Sequence, residues 1–384
     1  MPKLAIVDPV VSAGGMERFL QALVGGLREL PETARWEITL ALSAVNSGGH
    51  SVGWARALES SGVRVHWLEK PGVNDFCRRP FNVFYFPWPY EMDCPDVNAP
   101  FITTVHDLNF KNEMSVGPEK KRLTERRMPR WLAAARGITV SSRAMLGEFG
   151  SAYPQWARKA QWIPVGAPEF DQVFGLQDPA DAKRKFALPP RFLLSVGWIA
   201  PHKNFEVLFK ALKILRRRGH FIPLVLVGPN SRELKQENRA KARWYPLKIW
   251  QLAERLGLKA GEDFLALGYV SDRELGCLYR LAEALVVPSA YGGDNFPMLE
   301  ASGVGCPVVC SNIPALVDEA AVYFAFTFDP GDPEDLAGVL AKNIFQDPTG
   351  AKARTASIPQ NIRSVYSMQK TASAYLSLFE EAMN

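Results

Sequence analysis

Cysteine and histidine are both scarce in this chain, with five of each among 384 residues. Cys77, Cys94, Cys277, Cys306 and Cys310 form no C-x-x-C pair, which argues against a disulfide framework. His50, His66, His106, His202 and His220 show no metal-ligand spacing, so no metal and no cofactor are expected. No apolar run approaches the roughly 20 residues that span a bilayer. The opening "MPKLAIVDPV" lacks the charged start, apolar core and small-residue cleavage site of a secretory signal. These absences predict a reduced, cytoplasmic protein. There is no G-x-G-x-x-G, so a dinucleotide fingerprint is unsupported. The formal charge of +5 is too mild to argue for nucleic acid.

What is present is a soluble globular composition, 47% apolar and 22% charged, in a chain long enough for two domains. Strand-like runs at 4–8, 36–42, 64–68, 81–86, 101–105 and 138–140 alternate with helical patterns such as 16–30. The alternation breaks in a proline- and charge-rich stretch, 163–190. It resumes with strands at 192–197, 223–227, 264–267 and 284–287 and helices at 205–217, 240–256 and 271–282. Such alternation predicts α/β architecture: two Rossmann-like domains facing across a cleft, with ligands beyond the carboxyl ends of the strands. The expected division is an acceptor-side domain at 1–168, a linker at 169–190 and a nucleotide-binding domain at 191–362. A last helix at 363–384, with Ala372, Tyr375, Leu376 and Phe379 on one side, is expected to pack back on the first domain.

The charge is unevenly spread. "PEKKRLTERRMPRW" gathers Lys120, Lys121, Arg122, Arg126, Arg127 and Arg130. One reading is a solvated helix face with Leu123, Met128 and Trp131 turned inward. The other is a patch for anionic lipid or a phosphate-bearing substrate, which could hold the protein at the inner face of a membrane. Pro129 weakens any claim to one continuous amphipathic membrane helix.

Four strand-end loops carry the candidate chemistry. In "VVSAGGMERF", Gly14 and Gly15 precede a helix whose free N–H groups could meet an anion. In "SVGWIAPHKNFEVL", Lys203 precedes a helix start, where two positive features conflict unless an anion lies between them. In "TTVHDLNF", His106 directly follows a strand. In "SAYGGDNFPMLEASG", glycines permit close backbone approach. Pro297 there suits a first helical turn. Glu300 could accept hydrogen bonds from a ribose. The last loop therefore looks built for a nucleotide diphosphate.

Together these motifs resemble the GT-B retaining glycosyltransferases of glycosyltransferase family 4, over residues 5–340. "GGMERF" resembles the family's GG-x-E turn, "TVHDL" its histidine loop and "VGWIAPHKN" the phosphate turn of its P-[HR]-K-N subgroup. "VVPSAYGGDNFPMLEASGVGCPVVCSN" resembles its donor signature. The resemblance implies that Lys203 neutralises the leaving diphosphate, aided by the Gly14–Gly15 turn. It places Glu300 on the ribose and Asp294, Asn295, Phe296, Pro297, Met298 and Leu299 around sugar and phosphate. It puts His106 near the reacting carbon and Tyr269 and Val270 beside the base. Trp198, His202 and Asn204 fall within its phosphate turn. Two positions depart from the pattern: Gly292 stands where the first Glu of the E-x7-E pair is usual, and Trp198 where an arginine is frequent.

The function so implied is metal-independent, retaining transfer of a hexose from a GDP- or UDP-sugar, mannose first. The acceptor is a saccharide or lipid-linked saccharide in surface glycan synthesis. Two carboxylates flanking the scissile bond, as in a glycosidase, are not evident. The alternative is a catalytically impaired sugar-nucleotide-binding pseudoenzyme or partner subunit, with Gly292 as the cause.

Overall fold

The computed structural model describes residues 1–384 other than 10–14, 44–54, 57, 60–61, 70–71, 90–91, 112–116, 167–174, 176–177, 293–295, 321–322, 357, 359–361 and 363–365, with the side chains of 16 and 318–320 also left aside. The chain divides into two compact units, Met1–Gly166 with Tyr366–Asn384, and Ala167–Val365.

The first unit is built on seven strands: β1 (Lys3–Asp8), β2 (Glu37–Ser43), β3 (Arg64–Leu68), β4 (Val83–Phe86), β5 (Phe101–Val105), β6 (Gly137–Val140) and β7 (Ala160–Trp162). They lie in the order β3-β2-β1-β4-β5-β6-β7, every pairing parallel. Sequences such as VFYF in β4 and FITTV in β5 are buried throughout, as strands covered on both faces must be. The helices that matter below are α1 (Gly15–Glu29), α2 (Pro118–Ala134) and the C-terminal helix Met368–Met383, which packs on α1, β4 and β5. Strand β7 is three residues long, one of them exposed, and too brief to show as a run in the sequence.

Pro129 lies inside α2 without interrupting it. An interior proline costs about 3 kcal/mol, and the packing of the turns around it offsets that. Met128, Trp131 and Leu132 are buried, and the Trp131 ring meets Phe86 at 4.9 Å and Phe101 at 5.7 Å. The indole N–H donates to the Met92 carbonyl at 3.1 Å. The Lys159 ammonium then closes the helix end, donating to the carbonyls of Ala133 at 3.0 Å and Ala135 at 2.9 Å. Lys120, Arg122, Arg126 and Arg130 are exposed along this helix, whereas Arg127 donates to Asp93 at 2.8 Å. Thr124, not Leu123, takes the buried place in its first half, and Leu123 is half-exposed.

The second unit holds six parallel strands in the order β10-β9-β8-β11-β12-β13. They are β8 (Leu193–Val196), β9 (Leu224–Val227), β10 (Phe264–Gly268), β11 (Ala284–Val287), β12 (Val308–Ser311) and β13 (Phe326–Phe328). The helices that matter below are α3 (Pro179–Phe186), α4 (Phe205–Arg217), α5 (Trp244–Leu256), α6 (Asp272–Leu281) and α7 (Phe296–Gly303). Helix α3 lies within the stretch expected as a linker. Asp178 caps it by accepting from the Ala180 N–H at 2.8 Å, and Lys185 pairs with Glu274 of α6. The charged residues that read as linker composition are thus a cap and an ion pair. None of the five cysteines is joined in a disulfide, and burial pushes the Cys77 thiol up to about 12. No helix among the described residues is long and apolar enough to cross a membrane.

Candidate functional site

In the second unit the strand order reverses between β8 and β11, so the chain leaves those two neighbouring strands in opposite directions. At such a point the following loops part and leave a crevice at the carboxyl ends. Three glycines stand at the ends of β8, β9 and β10. A Cβ on Gly228 would lie 2.0 Å from the Gly197 carbonyl oxygen, and the Gly228 N–H donates to the Gly268 carbonyl at 2.9 Å. Gly228 has φ +147°, so both space and conformation demand glycine.

Asn230 then fixes the loop after β8. Its side chain accepts from the Ile199 N–H at 2.8 Å and donates to the Ile199 carbonyl at 2.9 Å. On the other side of the reversal, the His202 carbonyl accepts from the Ala290 N–H at 2.8 Å. The loops after β8 and β11 are therefore tied together at Pro201–Lys203, a single 3₁₀ turn. Asn204 follows in the left-handed region, φ 52°, and its amide donates to the Pro330 carbonyl at 2.8 Å. That bond ties the Asn204 side chain to the loop after β13. Lys203 is half-buried beside His202.

Glu300 is 2% exposed in α7, a helix buried along nearly its whole length, which excludes a surface role. Its Oε2 accepts from the Tyr279 hydroxyl of α6 at 2.7 Å. Nearby polar atoms remain without partners among the described residues. Ser289 Oγ, in the loop after β11, is one, and His202 Nδ1 another. Burial, with Lys203 adding its charge, holds the His202 imidazole down at about 3. Gly292 has φ +153°, a conformation that side-chain-bearing residues rarely adopt. Gly293, Asp294 and Asn295 lie outside the described residues, as does Gly14.

At the other flank Trp198 is 45% exposed, with the Arg243 guanidinium 5.2 Å from its ring centre. Arg243 is held in turn by Glu233 at 2.5 Å. Tyr269, 37% exposed, and buried Val270 follow β10. Lys203, His202, Glu300 and Tyr279 thus gather around the β8–β11 reversal, while Asn204 turns to the β13 loop. Asn230, Tyr279 and Ser289 were not anticipated. "LVLVGPNS" offered a signal for Asn230, a strand ending in turn residues, but nothing local marks Tyr279 or Ser289.

In the first unit the same reversal falls between β1 and β4. His106, the first residue past β5, is 7% exposed. Its ring lies 5.3 Å from Phe19 of α1, edge-on, and 5.0 Å from Trp88 after β4. Its carbonyl accepts from the Ser141 hydroxyl at 3.2 Å. Gly15 is the exposed first residue of α1. Among the described residues no three His, Cys, Asp or Glu side chains are gathered as a metal site would need.

Two doubly wound parallel units in one chain, with the second unit's polar residues collected at its strand reversal, define the GT-B glycosyltransferase fold. Sucrose-phosphate synthase from Thermosynechococcus elongatus superposes with a TM-score of 0.73 at 18% identity, over 99% of both chains. Anabaena HepE, solved in complex with UDP-glucose, gives 0.73 at 16% identity over 99% of this chain and 100% of that one. Residues 177–357, a little under half of the chain, match the family described as glycosyl transferases group 1. O-antigen chain mannosyltransferase B of Escherichia coli is 32% identical over 160 residues, 41% of this chain and 37% of that protein. The chain thus matches well under half the length of this relative.

Removing the hydroxyl in Tyr279→Phe leaves buried Glu300 short of a charge-assisted hydrogen bond. The expected cost is about 1.5–3 kcal/mol in chemical denaturation. His202 predicts a pH effect. The unfolded imidazole titrates near 6.5, so below that pH the unfolded chain binds a proton that the folded one refuses. Stability should fall as pH drops from about 6.5 toward 3, and the fall should be shallower in His202→Gln.

Proposed function

We propose that the chain is a retaining, metal-independent hexosyltransferase acting in surface glycan synthesis. Its donor is a nucleotide diphospho-sugar, GDP- or UDP-linked with mannose favoured, and its acceptor is a saccharide or lipid-linked saccharide. One observation carries the reading above the others: a buried carboxylate, Glu300, and a lysine, Lys203, both stand at the β8–β11 strand reversal. A carboxylate there suits ribose hydroxyls, and a cation in the neighbouring loop suits a diphosphate. The mannosyltransferase relative and the UDP-glucose bound to a protein of the same fold favour that donor class.

The chemistry asked of the residues follows. Breaking the bond between anomeric carbon and phosphate develops charge on the leaving diphosphate, so fixed donors aimed there stabilise the transition state most. Lys203 supplies the cation. Loss of one such donor typically costs about 3 kcal/mol. The residues around 294–299 contact sugar and phosphate, Tyr269 and Val270 flank the base, and His106 acts on the transferred sugar. With no carboxylate nucleophile assigned, the departing phosphate oxygen takes the acceptor's proton on the face where the acceptor attacks.

A second reading, a sugar-nucleotide-binding pseudoenzyme, is favoured by one feature. At φ +153° the backbone at 292 is poorly suited to the glutamate usual there, so the loop follows a path of its own. Thermal unfolding with GDP-mannose, UDP-glucose, dTDP-glucose and ADP-glucose, on wild type and Glu300→Gln, tests both. At about 100 times the dissociation constant a bound donor adds about 2.7 kcal/mol. One base family should shift wild type but not Glu300→Gln, and that donor should support transfer in chelator with retained anomeric configuration. A shift without transfer to any acceptor would favour the pseudoenzyme. No shift with any donor would overturn the binding reading altogether.

The basic face of α2 is proposed to contact anionic membrane or a phosphate-bearing acceptor. Wild type should co-sediment with phosphatidylserine vesicles and Arg122→Glu/Arg126→Glu should do so less. Equal sedimentation would reduce the face to surface decoration.

A further inference from the structure

Hydroxyls gather on the face of the first sheet under the C-terminal helix. Tyr85 of β4, Thr104 of β5, Thr139 of β6 and Tyr375 of the C-terminal helix are each at most 2% exposed. The Tyr85 hydroxyl lies 2.6 Å from Thr104 Oγ1, which lies 2.6 Å from Thr139 Oγ1. The Tyr375 hydroxyl reaches all three, at 3.1 Å to Thr139, 3.2 Å to Thr104 and 3.3 Å to Tyr85. Buried hydroxyls are costly unless paired, and once paired they are directional. An apolar helix face could slide or turn on the strands at little cost. One holding a hydroxyl against three adjacent strands at once cannot.

That cluster is coupled to His106 by two routes. Side chains alternate along a strand, so Thr104 and His106 stand on the same face, two residues apart. Phe19 of α1 is the second route, its ring edge-on to His106 at 5.3 Å and to Tyr375 at 6.0 Å. Phe19 cannot easily move away, because α1 and the C-terminal helix are in close contact. A Cβ on Gly26 would lie 2.7 Å from Met368 Cγ and 3.1 Å from Ala372 Cβ. The Thr371 hydroxyl, donating to the Pro164 carbonyl at 2.9 Å, secures the start of the helix.

We propose that Tyr375 is a positioning residue for His106: its hydroxyl, bonded across β4, β5 and β6, sets the orientation of the His106 ring through Thr104 and Phe19. The functional meaning of this rests on the role given to His106 above, but the orientation can be read without it.

The test is side-chain ¹⁵N–¹H NMR of the histidine rings in the full chain, with His106 assigned by the signal lost in His106→Gln. Tyr375→Phe keeps the ring and removes the hydroxyl, and Thr139→Val removes another member of the cluster. Both should shift the His106 resonances and leave those of His202 and His220, in the other unit, in place. Thr139→Ser, which keeps the hydroxyl, should restore the wild-type position. Thr33→Ala is the control for plain destabilisation. It deletes a buried hydroxyl of the same unit, bonded to the Leu30 carbonyl at 2.7 Å. An unmoved His106 in both Tyr375→Phe and Thr139→Val would overturn the proposal, as would an equal shift in Thr33→Ala. If Tyr375→Phe does not fold, the Thr139 pair decides alone. Full transfer activity in His106→Gln would instead remove the catalytic role and leave the positioning result untouched.

Discussion

Parallel strands cannot be joined by tight turns, so each is followed by a crossover, and a sheet grown in both directions from its first strand must contain one reversal. In the second unit that reversal parts the loops after β8 and β11. Their backbone groups then need partners that the sheet no longer supplies. Asn230 supplies two for Ile199, the His202 carbonyl takes the Ala290 N–H, and Asn204 reaches Pro330. Each of these bonds satisfies the backbone of a loop, and together they hold the 3₁₀ turn that carries Lys203. The lysine's place is therefore a consequence of strand order.

The same reversal explains why a carboxylate can sit inside the unit. Helix α7 runs from the loop after β11 and is buried against β11 and β12, so Glu300 on its second turn cannot reach bulk water. A buried carboxylate without partners would cost several kcal/mol. The Tyr279 hydroxyl meets part of that demand from α6, and a ligand hydroxyl would meet more. Ser289 and His202 carry polar atoms that find no partner among the described residues of those loops. A site that binds polar ligands needs such groups held ready, and their burial keeps water from competing.

The first unit solves a different problem. It holds an imidazole at a strand end, packed between aromatic rings. Phe19, Trp88 and the Ser141 hydroxyl surround His106 from elements following β1, β4 and β6. The C-terminal helix reaches that arrangement through Phe19, with Tyr375 more than 260 residues beyond His106 in the chain. Its hydroxyl cluster gives an otherwise slippery apolar interface a single register.

Much of this protein was legible in one dimension. Alternating short apolar runs and amphipathic stretches announced both parallel sheets, because buried strands must be apolar on both faces. His106 just past a strand and Lys203 in a strand-end loop could be read the same way, and Glu300 as a carboxylate in the helix that follows such a loop. The short strands β7, β12 and β13 were not among the strands expected. Three or four residues give a pattern too little length, and what makes them strands is a neighbour's open edge. The capped, ion-paired helix α3 passed for linker because its charges looked like solvent-facing composition. What offsets Pro129 inside α2 is packing around Trp131, which one dimension does not show. Sequence alone determined which residue types stand at the strand ends. Tertiary structure decided which of them meet, because Tyr279 reaches Glu300, and Tyr375 reaches Thr104, only after strand order has brought distant segments to within a hydrogen bond.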